Sequence, residues 1–150
     1  MQDEQCPDFT LPATSGQTFQ LAASHKPLVI YFYPKDNTPG CTNEGIAFRD
    51  LYLSFQARGA AIVGISRDSL KSHENFKAKY SLPFELLSDS EETVCRLFDV
   101  IKTKNMYGKK VLGIERSTFV IDADGKIAAE WRGVKVTGHA EEVLAFIETL

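Results

Sequence analysis

Six consecutive residues, Leu28-Val-Ile-Tyr-Phe-Tyr33, are apolar throughout and β-branched or aromatic at every position but the first. A strand whose side chains are apolar in both directions must be covered on both faces, as the central strands of helix-flanked sheets are. This is the longest apolar run in the chain, far short of the roughly 18–20 residues that span a bilayer. Ala61-Ile-Val-Gly-Ile65 and Phe84-Glu-Leu-Leu87 read as two further strands, the first equally buried. The fold class that follows is α/β, a central mixed sheet flanked by helices.

The stretches between these strands carry helical signals. Pro34 to Cys41 is a loop running into a helix that ends near Gly59, with Phe48, Leu51 and Phe55 on one face. Asp68 or Ser69 caps a helix carrying Leu70, Phe76 and Tyr80, and Asp89 with Glu92 resembles a capping box for a short helix through Phe98. Asp99 to Glu115 reads as a long loop with Lys102, Lys104, Lys109 and Lys110, and loops of that length tend to be functional or mobile. Ser117–Ile121 and Ile127–Trp131 flank Asp122-Ala-Asp-Gly125 as a hairpin, and a last helix runs from His139 to Leu150. A short hairpin around Ser15-Gly16 opens the chain. With no repeat or linker, residues 1–150 read as a single domain.

Composition narrows the function classes. The net charge of −3 lacks the basic footprint of a nucleic-acid binder, and no membrane segment is present. Met1-Gln-Asp-Glu-Gln5 resembles neither a secretory signal nor an Arg-rich transit peptide. Three cysteines is an odd number, and a chain of 150 residues needs no disulfide staples, which points to reduced thiols and a cytoplasmic location. Cys6, Cys41, Cys95, His25, His73 and His139 show no metal-ligand spacing. No metal or cofactor is expected. His25 sits in a turn, His73 and His139 read as helix-end or helix-surface residues, and none is given a role.

The densest chemical signal is Tyr33-Pro-Lys-Asp-Asn-Thr-Pro-Gly-Cys-Thr-Asn-Glu44. With Thr38 as N-cap, Pro39 takes the first helical position, where its missing N–H costs nothing. Cys41 then lies in the first helical turn at the carboxyl end of a central strand, where open α/β sheets place their ligands. Free N–H donors and the helix dipole at such a terminus favour a thiolate. A thiolate alone is a modest catalyst, because the gain in ionised fraction is largely offset by lost nucleophilicity. A single donor placed on the developing charge adds about 10²–10³. The backbone amides, the Thr38 hydroxyl and an arginine would serve.

Pro34-x-x-x-Thr38-x-x-Cys41, with Phe48-Arg49-Asp50, Gly64-Ile-Ser66, Gly113-Ile-Glu-Arg116 and Phe119–Gly125, resembles the peroxiredoxins, and within them the peroxiredoxin Q or bacterioferritin comigratory group. The resemblance extends over nearly the whole chain and implies a thioredoxin-like fold, reduction of hydrogen peroxide and organic hydroperoxides, and a monomer. It implies that Cys41 attacks the peroxide and becomes a sulfenic acid. It further implies that Thr38 hydrogen-bonds the thiolate and the peroxide, that Pro34 shields the site, and that Arg116 stabilises the thiolate and the transition state. Without the resemblance, Arg116 reads as a surface arginine paired to a carboxylate. Glu44 could bond to that arginine or serve only as a favourable first-turn acid.

Many members of the group carry a second, resolving cysteine five residues after the first, and here that position is Ile46. The spare thiols are Cys95, which reads as structural on an apolar helix face, and Cys6, which reads as part of a mobile start. The expectation is a one-cysteine mechanism, with thioredoxin, glutaredoxin or glutathione reducing the sulfenic acid. The alternatives are resolution by Cys95 or Cys6, or a non-catalytic anion-binding module built on the helix start. A Cys-x-x-Cys oxidoreductase is excluded because Glu44 stands where the second thiol would be.

Overall fold

A computed structural model describes residues 1–150. Its elements in chain order are β1 (Thr10–Ala13), β2 (Gln17–Gln20), β3 (Leu28–Phe32), α1 (Pro39–Asp50), α2 (Tyr52–Ala57), β4 (Ala61–Ser66), α3 (Leu70–Tyr80), β5 (Glu85–Ser88), α4 (Thr93–Leu97), β6 (Ile101–Met106), β7 (Lys109–Ile114), β8 (Ser117–Ile121), β9 (Ile127–Arg132) and α5 (His139–Ile147). Seven strands form one sheet in the order β2-β1-β5-β4-β3-β8-β9. Its centre, β3, β4 and β5, is parallel, and the antiparallel strands lie outside it. The mixed, helix-flanked sheet is the one expected from the apolar runs.

The strand period of two divides the core. Leu28, Ile30 and Phe32 enter one apolar cluster with Phe9, Val94, Cys95, Phe98 and Phe119. Val29, Tyr31 and Tyr33 enter the other with Cys41, Phe48, Phe55, Phe76 and Val143. Helices α1, α2, α3 and α5 therefore cover one face, while α4 and the N-terminal segment cover the other.

Four local expectations are corrected. The helix after Cys41 breaks at Leu51, whose angles (φ −101°, ψ 5°) leave the helical range, so that two helices replace one. Phe48 and Phe55 both remain fully buried across that break. Ser69 does cap α3 through the Ser72 amide, but Leu70 is exposed and His73 joins Phe76 on the buried face. Glu92 takes a left-handed conformation without a capping side chain, and the Asp89 carboxylate instead accepts from the Val94 and Cys95 amides. The 99–115 stretch is a hairpin, β6 with β7 (Ile101↔Ile114 to Met106↔Lys109), turned by Tyr107 and Gly108. Lysines at four of its positions hid the strand pattern, since the hairpin stands outside the main sheet and most of its outer side chains face solvent.

Gly64 on β4 lies between Tyr31 on β3 and Leu86 on β5. A Cβ there would stand 2.9 Å from the Tyr31 ring and 3.0 Å from Leu86, both buried. Gly64→Ala is expected to destabilise the fold by about 1–3 kcal/mol through overpacking. Urea denaturation with unchanged midpoint would show that the tyrosine moves aside freely.

Candidate active site

Tyr33 closes the central strand by donating its amide to the Ile65 carbonyl, and the chain then turns through residues 34–38 into α1. Thr38 is the N-cap in extended conformation and Pro39 follows at the helix start. The Thr38 side chain does not cap the helix; its hydroxyl donates to the Lys35 carbonyl at 2.8 Å. Cys41 sits one turn in and is buried, only 2% exposed. Pro34, at the strand's exit, is half-buried.

Arg116 lies in the two-residue link between β7 and β8, which the sheet delivers beside the start of α1. One guanidinium nitrogen donates to Glu44 Oε1 at 2.6 Å and the other to Cys41 Sγ at 3.5 Å. Cys41 and Glu44 are three residues apart on α1 and so share a face. Gly40 makes room for the guanidinium: a Cβ there would meet Arg116 Nη2 at 3.1 Å. Burial opposes the charge on Arg116, but Glu44 and Cys41 together hold its pKa above the ordinary arginine range.

Glu44 is almost wholly buried, and its Oε2 has no hydrogen-bond partner. Burial outweighs the attraction of Arg116 and lifts its carboxyl to about 7. The Tyr31 hydroxyl is likewise buried without a partner. Its pKa is driven well above the usual value by burial first and then by the charges of Glu44 and Cys41. The core around Cys41 thus holds one cation, one carboxyl and one phenol, with one carboxyl oxygen and the phenol hydroxyl unpartnered.

A second cluster fastens the 34–38 loop, and the sequence reading missed it. Far from lying on a helix surface, His73 is fully buried, with Nδ1 2.7 Å from Asp36 Oδ2 and Nε2 3.0 Å from the Leu87 carbonyl. Each ring nitrogen thus has a polar partner inside the protein. The Tyr33 hydroxyl donates to Asp36 Oδ1 at 2.6 Å and the Ser72 hydroxyl to Oδ2 at 2.8 Å. The Asp36 amide donates to Asp68, and Asn37 Oδ1 accepts from Tyr80 and Lys79. Asp36, Asp68 and His73 bring potential ligand atoms within 4.8 Å of one another, but the His73 nitrogens are already committed to hydrogen bonds. The available signal was the spacing of His73 and Phe76, three apart on one helix face. His139 is also buried, its Nε2 2.8 Å from the Thr118 hydroxyl oxygen, and burial lowers its pKa.

The structure separates the three thiols. Cys41 belongs to the cluster on one face of the sheet, and Cys6 and Cys95 to the cluster on the other. Cys6 is not on a mobile start: its amide donates to Gly125, Gln5 bridges to Lys126, and the side chain is buried. Burial pushes the Cys6 thiol up to about 12, and burial followed by the nearby Asp89 drives that of Cys95 higher still.

The pattern of the AhpC/TSA family matches residues 3–130. Peroxiredoxin Bcp of Xanthomonas campestris is 56% identical over 143 residues, 93% of this chain and 89% of that protein. Peroxiredoxin Bcp of Bacillus subtilis is 46% identical over 148 residues, 98% of this chain and 94% of that one. A solved structure of the Xanthomonas campestris bacterioferritin comigratory protein, concerned with its alkyl peroxide reduction activity, superposes with a TM-score of 0.89 at 54% identity, covering 94% of this chain and 90% of that chain.

The buried Glu44 carboxyl generates a pH signature. Because its pKa rises from 4.5 to about 7 on folding, the folded chain keeps a proton that the unfolded chain loses between those values. Stability from this group is therefore full below pH 4.5 and lost as pH rises to 7, by about 3 kcal/mol. Glu44→Gln cannot lose that proton, so its stability relative to the parent should climb by about this amount between pH 4.5 and 7.5. A difference that stays flat with pH in urea titrations would contradict the assignment.

Proposed function

This chain belongs to the AhpC/TSA family, and from that premise we propose that Cys41 is its peroxidatic cysteine, working by a one-cysteine mechanism. The chain is a thiol-dependent peroxidase of the peroxiredoxin Q/Bcp group with a thioredoxin-like fold. The observation that carries the proposal is the Arg116 guanidinium, hydrogen-bonded at once to Cys41 Sγ and to Glu44.

In the proposed reaction the Cys41 thiolate attacks the terminal oxygen of a hydroperoxide. An S–O bond forms as the O–O bond breaks, the leaving oxygen departs as water or an alcohol after taking a proton, and sulfur is oxidised to sulfenic acid. Arg116, held in place by Glu44, donates to the sulfur and to the negative charge on the oxygens. The Thr38 hydroxyl proton is committed to Lys35, so its oxygen is free to accept the peroxide O–H and orient the substrate. Pro34 limits access of water to the sulfur. Substrates are hydrogen peroxide and organic hydroperoxides, and the alkyl peroxide activity named for the Xanthomonas relative supports the second class.

The sheet between Cys41 and the other two thiols supports reduction by an external thiol, such as thioredoxin, glutaredoxin or glutathione. A disulfide needs Cα atoms within about 7 Å, so pairing across the sheet would require unfolding. We read the protein as a cytoplasmic monomer, as the resemblance and the odd number of cysteines imply; no helix is long and apolar enough to cross a membrane.

Cys41→Ser, which keeps the shape but lacks the thiol, is expected to abolish peroxide consumption with the fold intact. Turnover by that variant would remove Cys41 from the role. Arg116→Met should slow sulfenic acid formation by about 10²–10³, while Lys102→Met on the hairpin leaves it unchanged. Equal stopped-flow rates for the two would return Arg116 to a structural role. One equivalent of peroxide should add one oxygen to the intact mass, and glutathione should then give a mixed disulfide. Loss of two hydrogens instead, mapped to Cys41–Cys95 or Cys6–Cys41, would overturn the one-cysteine mechanism.

A further inference from the structure

The β6–β7 hairpin pairs with no other strand, and only Ile114 and Ile101 at its root pack into the core, so its exposed apolar side chains are unaccounted for by the fold. The chain leaves eight large apolar residues exposed, and four of them belong to this hairpin: Met106 and Val111 share one face, Tyr107 sits at the tip, and Leu112, opposite Thr103, is on the other face. The same segment holds Lys102, Lys104, Lys109 and Lys110 and no acid, in a chain of net charge −3. Lys102 alone among them has a carboxylate partner, Asp99. Tyr107 and Gly108 both have positive φ (51° and 78°), a two-residue turn that favours Asn or Asp at its first position. A tyrosine there is strained, and its ring is held completely clear of the protein. At its root the hairpin ends in the buried Ile114, two residues before the arginine that touches Cys41.

We propose that this hairpin is the docking arm for an acidic protein dithiol, the reductant of the Cys41 sulfenic acid. The inference rests on the Cys41 assignment above and goes beyond it by naming the surface and the partner's chemistry. A partner must supply the thiol, because the other cysteines lie across the sheet, and Arg116 at the hairpin's root is the residue that contacts the Cys41 sulfur. An aromatic anchor with aliphatic neighbours suits a protein interface, and surrounding lysines steer an acidic partner to it. A small thiol has no use for such an arm. One partner thiolate attacks Cys41 sulfur and displaces the sulfenic oxygen, which takes up a proton and leaves as water. The partner's second thiol then attacks its own sulfur in the mixed disulfide and releases the Cys41 thiolate. Two electrons pass from the dithiol, which ends as a disulfide.

The test measures peroxide turnover by the full chain with an acidic thioredoxin, its reductase and NADPH. The variants are Tyr107→Asn, which suits the turn better and so keeps the hairpin folded, Lys109→Glu with Lys110→Glu, and Leu53→Ser as a control. Each hairpin variant should lower kcat/KM for thioredoxin about tenfold, mainly through KM, and the control should not. Salt should lower the parent's kcat/KM and erase the lysine effect. Oxidation by hydrogen peroxide and reduction by dithiothreitol should be unchanged in all. Unaltered kcat/KM in both hairpin variants overturns the proposal, as does an equal loss with dithiothreitol. It is also overturned if thioredoxin kinetics hold while the variants lose self-association in sedimentation or binding to anionic phosphatidylglycerol vesicles. The hydrogen peroxide arm reads Cys41 alone, so failure of that assignment is seen separately.

Discussion

Every side chain of β3 is buried, and this single strand sets the terms for everything around it. Its odd and even positions feed two separate cores, so helices must cover both faces, and parallel β4 and antiparallel β8 must flank it. At roughly 25 cal/mol per Å², burying such side chains gives the strongest local drive to fold. The same division places Cys41 in one core and the remaining thiols in the other. A requirement of packing thus becomes a constraint on redox chemistry.

Where β3 ends, apolar burial gives way to paired polar groups. Asp36 and His73 are both inside the protein, and their hydrogen bonds join Tyr33, Ser72 and Leu87 around the loop that leads to Cys41. Buried groups of this kind are costly unless fully satisfied, and here they are. Glu44 and Tyr31 present the opposite case, each with a buried oxygen that has no partner. One cluster holds the loop by satisfaction, while the other keeps two buried polar atoms without partners.

The fold was legible where apolar runs, helical periodicity or turn residues were clear: the strands at 28–33, 61–65 and 84–87, the terminal helix and the hairpin around Gly125. It was illegible at β6–β7, because a hairpin wet on most of its surface needs no apolar alternation and its lysines imitate a loop. His73 was misplaced for a related reason. A histidine can be solvated or buried in a network, and only its partners decide which. The break at Leu51 lay beneath the resolution of periodicity, since one residue outside helical angles leaves the apolar spacing of Phe48 and Phe55 intact.

From the sequence alone came the α/β class, the strand–loop–helix start that presents Cys41, and the absence of a neighbouring thiol at Ile46. These are properties of adjacent residues, whose backbone preferences and spacing act over a few positions. Only the tertiary structure decided that Arg116, seventy-five residues away, bridges Cys41 to Glu44. It also decided that Glu44 sits where burial outweighs its partner, and that Asp36 finds His73. Each of these depends on how strands distant in the chain come to lie side by side. Hydrogen bonds and desolvation act over a few ångströms of space, and distance along the chain does not specify that.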